Sequence, residues 1–253
     1  MAGWLTAQPY AHRGLHDSAA GVIENTPSAF RAAIEAGYGI ECDVQISADG
    51  EAMVHHDFTL GRLTRGNSRL DERGAAELQA VDYIATGDRM LTLGELCALV
   101  AGRVPMLVEL KSRFNGDERI AVRTAAVLAG YSGPVAAMSF DPTLVAAVRR
   151  LAPKLARGLV AQRRVADDPG RAIGERSDAV LQTAMSRLGY ARALLAACPQ
   201  FLAYRVADLT TLPPRAARSL LGRPVLTWTV RTPEQRKAAI SHADQMIFEG
   251  FRP

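Results

Sequence analysis

Two periods of apolar and polar positions alternate along this chain, and the switch between them repeats from end to end. Short apolar runs of strand length lie at 39–46, 105–111, 135–140, 201–206, 224–230 and 245–248, separated by stretches with apolar residues at helical spacing. Asn25-Thr26-Pro27 offers an N-cap followed by proline at the first helical position. Phe30, Ala33 and Ile34 then recur at helical spacing until Gly37 ends the helix. Thr92-Leu93-Gly94-Glu95 is a capping box opening a helix with Leu93, Leu96, Cys97 and Val100 on one stripe. Leu144, Val145, Val148 and Leu151 form another such stripe. Strand and helix in strict alternation predict parallel strands joined by helical crossovers. With a first strand ending at His12, a fifth near 156–160 and a helix over 178–198, the count reaches eight strands. The predicted fold is therefore α/β, a (β/α)8 TIM barrel forming a single domain over 1–253. The chain has 253 residues, and about 250 is usual for such a barrel.

One stretch breaks the alternation. Residues 57–91, after the second strand, are polar, contain Gly61, Gly66, Gly74 and Gly87, and are too long for a plain loop. They predict an inserted lid-like segment.

Composition narrows the class. Hydrophobic residues at 48% and charged residues at 22% suit a folded domain with a substantial core and exclude a disordered chain. The net charge is only +4, and the arginines are scattered without a basic helix or interleaved aromatics, so no nucleic-acid partner is expected. A mildly positive surface does attract phosphate-bearing substrates. Cys42, Cys97 and Cys198 are widely spaced in apolar stretches, as reduced core cysteines are. Residues 1–6 carry no basic leader followed by an apolar run, and no later segment is long enough to span a bilayer. The expectation is a cytoplasmic protein without stable membrane insertion.

Candidate chemistry concentrates in the first half. In Glu41-Cys42-Asp43-Val44 a strand puts Glu41 and Asp43 on one face, where they can share a cation, and sends Cys42 and Val44 into packing. The same device recurs in Val108-Glu109-Leu110-Lys111, which adds a carboxylate and an ammonium. Only three of thirty basic residues are lysines, so a lysine on a buried strand asks for a reason. His12-Arg13-Gly14 and His56-Asp57 bring two imidazoles, and together these groups are the makings of a metal-assisted acid/base site. In a barrel, His12, Asp43, Lys111, Phe140 and Trp228 all fall at carboxyl ends of strands, where such sites are built.

These residues carry a resemblance. The run from Ala11 to Thr64, with His12-Arg13-Gly14, Glu24-Asn25-Thr26, Ala29-Phe30, Gly37, Glu41-Cys42-Asp43-Val44, Asp49-Gly50, His56-Asp57, Leu60, Arg62 and Thr64, resembles the glycerophosphodiester phosphodiesterase family. Glu109-Leu110-Lys111, Ser139-Phe140-Asp141 and Trp228-Thr229-Val230 extend it over nearly the whole chain. The resemblance implies metal-dependent hydrolysis of a small glycerophosphodiester to glycerol 3-phosphate and an alcohol. A phosphodiester repels nucleophiles and has a poor leaving group, so this reaction needs charge neutralisation, a base and an acid. Glu41, Asp43 and Glu109 are hard oxygen donors suited to a divalent cation, Mg²⁺ or Ca²⁺. Lys111 and Arg13 add positive charge to the phosphoryl oxygens. His12 and His56 are the acid/base pair, with the assignment between them open.

Secondary expectations follow. His55 points away from the face of His56, and the family pattern selects His56. Asp57 either orients His56 or binds backbone as a turn residue. Asn25 either caps the first helix or lines the mouth. Phe140 and Trp228 form an apolar wall for the glycerol or the alcohol. His16 and His242 belong to no constellation and read as surface or packing residues. Each carboxylate singly suits a structural ion pair with arginine, but three beside two matched histidines favour a site. The chain departs from the family at Ile247-Phe248-Glu249-Gly250-Phe251, where Glu249 stands in place of the usual Thr-Asp. Two rivals remain: a phospholipase D-like barrel acting on a lysolipid or sphingolipid, and a non-catalytic barrel that senses a phosphodiester.

Overall fold

Strands that are apolar on both faces must be covered on both, and here they achieve it by closing on themselves inside a ring of helices. The computed structural model describes residues 3–162, 192 and 194–253. Among these, the strands are β1 (Tyr10–Ala11), β2 (Gly39–Ile46), β3 (Ala52–Val54), β4 (Met106–Leu110), β5 (Val135–Ser139), β6 (Ala156–Ala161), β7 (Phe201–Arg205), β8 (Val225–Val230) and β9 (Gln245–Phe248). The helices are α1 (Pro27–Glu35), α2 (Ala75–Gln79), α3 (Leu93–Val100), α4 (Arg119–Ala129), α5 (Pro142–Leu151), α6 (Leu212–Ser219) and α7 (Pro233–His242). Eight strands pair in parallel in the order β1-β2-β4-β5-β6-β7-β8-β9, and β9 returns to β1, closing the barrel. β3 is the exception, an antiparallel ribbon on the end of β2. The fold is the expected (β/α)8 barrel. The first strand is shorter than expected, with His12 just beyond it, and the helix expected over 178–198 lies mostly outside the described residues.

The alternation along each strand sorts side chains into two cores. Cys42 and Val44 face outward with Phe30, Leu96, Ile120 and Leu144 from the helices. Inside the barrel, Tyr10, Leu107, Met138, Phe201, Leu226 and Ile247 pack together. The interior has room for these rings only because glycines face them. A Cβ on Gly158 would lie 2.2 Å from the Phe201 ring, and one on Gly39 would lie 2.6 Å from Tyr10. The Tyr10 hydroxyl donates to the Leu5 carbonyl at 3.0 Å and ties the short N-terminal 3₁₀ turn (Gly3–Thr6) to the barrel.

The segment 57–91 is packed on its own small core. Leu60, Leu70, Leu78, Tyr83 and Met90 are buried there together with Ile23 and Met53. The expected capping box at Thr92 is present: Thr92 Oγ1 accepts from the Glu95 amide at 3.2 Å. Cys42 and Cys97 are buried free thiols, whereas Cys198, expected in the core, is exposed, because its stretch is the end of a helix rather than a barrel strand. Among the described residues no helix is long and apolar enough to cross a membrane.

Candidate active site

Register brings the carboxylates together. Asp43 lies directly opposite Glu109 in the β2–β4 ladder, and Glu41 sits one inward position deeper. Asp43 falls within β2, yet it stands at the barrel rim, because β2 runs on past Val44 only as the ribbon with β3. One ligand atom from each of Glu41, Asp43 and Glu109 lies within 4.8 Å of the others, and all three residues are buried. Lys111, just past β4, places Nζ 2.9 Å from Glu109 Oε1 and 3.7 Å from Asp43 Oδ1.

The turn after β1 supplies the opposite charge. The backbone amide of Arg13 donates to Glu41 Oε2 at 3.0 Å, and its Nη1 donates to Glu24 Oε1 at 2.8 Å. Its Nε lies 3.2 Å from Asp43 Oδ2 without making a hydrogen bond, so that attraction is coulombic. Gly14, with φ +81°, makes this turn possible, since a Cβ there would press to 2.9 Å from Ala29. Asn25 is no helix cap. Its φ is +57°, its Nδ2 donates to Asp43 Oδ2 at 3.0 Å, and its Oδ1 accepts from the Asp43 amide at 3.3 Å. Thr26 takes the N-cap position, with its hydroxyl donating to Ile23 O at 2.7 Å. A clasp on the buried Asp43 outweighs capping α1, whose Pro27 has no N–H to satisfy.

These neighbours pull the carboxylates apart in acidity. Burial, then the charges of Asp43 and Glu109, push the Glu41 carboxyl well above its ordinary range. Burial acts the same way on Asp43, but His56, Arg13 and Lys111 outweigh it and hold this carboxyl below the usual range. A divalent cation suits this donor set. Three buried carboxylate oxygens are hard ligands, and an ion among them removes the repulsion that otherwise favours a proton on Glu41.

Each candidate acid/base histidine is backed by a carboxylate. His12 Nδ1 is 2.7 Å from Glu249 Oε2, and His56 Nδ1 is 2.8 Å from Asp57 Oδ1. Of the two roles open to Asp57, the structure therefore shows the contact to His56. The Nε2 atoms face the charged cluster: that of His12 lies 4.0 Å from Glu41 Oε2, and that of His56 lies 3.3 Å from Lys111 Nζ. Asp57 is held by Arg62 at 2.5 Å, Arg62 also grips Glu24 at 2.7 Å, and Glu24 meets Arg13, so the support of His56 runs on to the turn that follows His12, while Glu249 behind His12 is held separately by Arg231. Burial lowers the affinity of both rings for a proton. On His56, Lys111 and Arg13 deepen the effect, while on His12 Glu249 opposes it.

The other side of the cleft is largely apolar, with Gln162 and Thr229 as its polar members. Phe140 and Trp228 meet edge to face at 5.4 Å between centroids, and Trp228 Nε1 donates to Ala203 O at 2.9 Å. Met138, Val160 and Ile247 complete this wall. All nine side chains singled out from the sequence, His12, Arg13, Glu41, Asp43, His56, Glu109, Lys111, Phe140 and Trp228, line this one cleft. Sequence reasoning left out Glu249 as a partner of His12, and its only signal was the departure in the last strand. His16, read as a surface or packing residue, is half-buried, with a ring nitrogen within 4.8 Å of ligand atoms of His12 and Glu249.

Residues 12–250 match the model of the glycerophosphoryl diester phosphodiesterase family. A glycerophosphodiester phosphodiesterase from Caldanaerobacter subterraneus subsp. tengcongensis is 32% identical over 163 residues, which cover 60% of this chain and 65% of that relative. In structure, the chain superposes on a phosphodiesterase from Oleispira antarctica with a TM-score of 0.74 at 20% identity, covering 95% of this chain and 92% of the other. It likewise superposes on a glycerophosphodiester phosphodiesterase from Thermotoga maritima with a TM-score of 0.68 at 23% identity, covering 94% and 92%. With the family model matched from the first histidine to the glycine after Glu249, the chain belongs to the glycerophosphoryl diester phosphodiesterase family.

Proposed function

We propose that this protein hydrolyses small glycerophosphodiesters to glycerol 3-phosphate and an alcohol. The observation that carries the proposal is the meeting of two carboxylate-backed imidazoles with three carboxylates, Lys111 and Arg13 in one cleft. Family membership supports it, and the Oleispira antarctica phosphodiesterase was solved in complex with the product sn-glycerol-3-phosphate. Glu41, Asp43 and Glu109 would hold the divalent cation, Mg²⁺ or Ca²⁺, whose charge neutralises phosphoryl oxygens and polarises phosphorus. Arg13 and Lys111 reinforce that charge where it grows in the transition state.

The two histidines divide the proton work. An ammonium is only a donor, so the Lys111 contact requires a lone pair on His56 Nε2, and the ring proton sits on Nδ1 toward Asp57. His56 is thereby set up as the base. When a phosphate draws Lys111 away, that lone pair is free to take the proton of the nucleophile, either water or a neighbouring glycerol hydroxyl. His12 is left as the acid for the departing alkoxide, with Glu249 at its Nδ1 opposing the burial that otherwise disfavours the protonated form. Phe140 and Trp228 exclude water and give the organic group an apolar face. Segment 57–91 acts as a lid-like wall, joined to the site through Arg62.

A lysolipid or sphingolipid substrate would need an exposed apolar surface for its acyl chain. Leu60, Leu70, Leu78 and Tyr83 are instead consumed in the inner core of the inserted segment, which favours a small substrate. The test is glycerol 3-phosphate release from a panel of glycerophosphodiesters, with chelator and with Mg²⁺ or Ca²⁺ restored. Release that chelator abolishes and metal returns is the expected outcome. No release from any member, together with tight binding of one of them, would replace the enzyme with the sensor.

A further inference from the structure

A second group of ligands meets at the mouth, of a different chemical type from the first. His16 lies two residues beyond the Arg13-Gly14 turn, and its amide donates back to Gly14 O at 3.0 Å. Its Nε2 is buried and has no hydrogen-bond partner. One ligand atom from each of His12, His16 and Glu249 lies within 4.8 Å of the others. The side chains of His12 and Glu249 keep 13% and 23% of their exposure, so an ion can reach them from solvent.

Two imidazoles and one carboxylate form a zinc-type donor set, whereas Mg²⁺ and Ca²⁺ prefer all-oxygen sites such as Glu41, Asp43 and Glu109. We propose that His12, His16 and Glu249 form a second metal site, selective for zinc-type ions over Mg²⁺ and Ca²⁺, whose occupation switches the cleft off. A coordinated His12 is held as a ligand and withdrawn from proton transfer. Arg231 donates to Glu249 Oε2 at 2.9 Å, and Arg13 is the neighbour of His12 in the chain. These cations oppose the ion and keep the site reversible. The inhibition rests on the role of His12 proposed above; the binding does not.

Two measurements on the full chain, both in excess Mg²⁺, test this. In the first, Co²⁺ is titrated in as a coloured stand-in for zinc. Wild type should develop the visible absorption of imidazole-bound Co²⁺, reversed by Zn²⁺, and His16→Ala should weaken the binding by about tenfold or more. In the second, turnover is followed as Zn²⁺ is added. Wild type should be inhibited, and His16→Ala should keep the basal rate and need at least about tenfold more zinc, since losing even a partner of a metal ligand costs about 10–100-fold in affinity. Equal zinc sensitivity in both proteins would put the inhibiting ion in the carboxylate cluster and overturn the proposal. Equal Co²⁺ spectra would overturn it as well. If His16→Ala does not fold, His16→Gln carries the same readouts. The Co²⁺ titration needs no substrate, so it decides the site even if no glycerophosphodiester is turned over.

Discussion

The two halves of this barrel do opposite things with the same architecture. From β1 to β4 the inward positions at the mouth are charged: Glu41, Asp43, Glu109 and Lys111, with Arg13 and His56 on the adjoining turns. From β5 to β9 they are mostly apolar, Met138, Phe140, Val160, Trp228 and Ile247, joined by the uncharged polar Gln162 and Thr229. Buried charges persist only where each has a partner, so they occur together, and Asp43 illustrates this with Asn25, Arg13 and Lys111 all around it. The apolar half contributes by excluding water, which strengthens every electrostatic interaction across the cleft. The charged groups thus gather on one half of the mouth and the bulky apolar groups on the other.

The largest break in that division should come from the histidines. His12→Ala or His56→Ala should lower kcat by about 10²–10⁴-fold while circular dichroism and Mg²⁺ binding stay near wild type. Full activity in either variant would remove it from the acid/base pair. Next come the ligands. Glu41→Ala and Asp43→Ala should weaken Mg²⁺ binding, seen by calorimetric titration, and raised metal should recover part of the activity. No change in metal affinity would disconnect the carboxylates from the cation.

On the apolar side the effects should be smaller and of another kind. Phe140→Ala and Trp228→Ala should raise KM by roughly tenfold, about the worth of one aromatic contact, and reorder the preferred alcohols. A fall in kcat with the alcohol ranking unchanged would show that the wall serves the chemistry instead. The smallest effect concerns acid stability. Burial works against the ionised forms of Glu24 and Glu249, but Arg62 and Arg13 hold the first, and His12 and Arg231 the second, below the ordinary carboxylate range. A carboxylate lowered by folding stabilises the native state above its unfolded pKa, near 4.3, and loses that contribution as pH falls toward the native value. The unfolding temperature should therefore drop below about pH 4, and Glu24→Gln should flatten the drop. Parallel curves for the two proteins in scanning calorimetry would assign the acid loss elsewhere.

Much of this was legible in the chain because the relevant signals are local. The alternation in Glu41-Cys42-Asp43-Val44 and Glu109-Leu110-Lys111 follows from strand geometry alone, so the shared face of the carboxylates and Lys111 could be read directly. The strand and helix alternation was enough for the barrel, and the barrel placed the charged half at one mouth. Asn25 shows where local reading fails: in Asn25-Thr26-Pro27 a cap is the obvious role, but Asp43, eighteen residues later, competes for the same amide and wins.

What the sequence by itself determined is therefore the set of groups that meet in the cleft and the fold that gathers them, since both rest on periodicity and on residue type. What only the tertiary structure decided is pairing across the closed ring. Glu249 against His12 spans 237 residues, and His16 beside them depends on how β9 meets β1. No pattern within either segment encodes that meeting, because it follows from the closure of the barrel, which puts the two ends of the chain side by side.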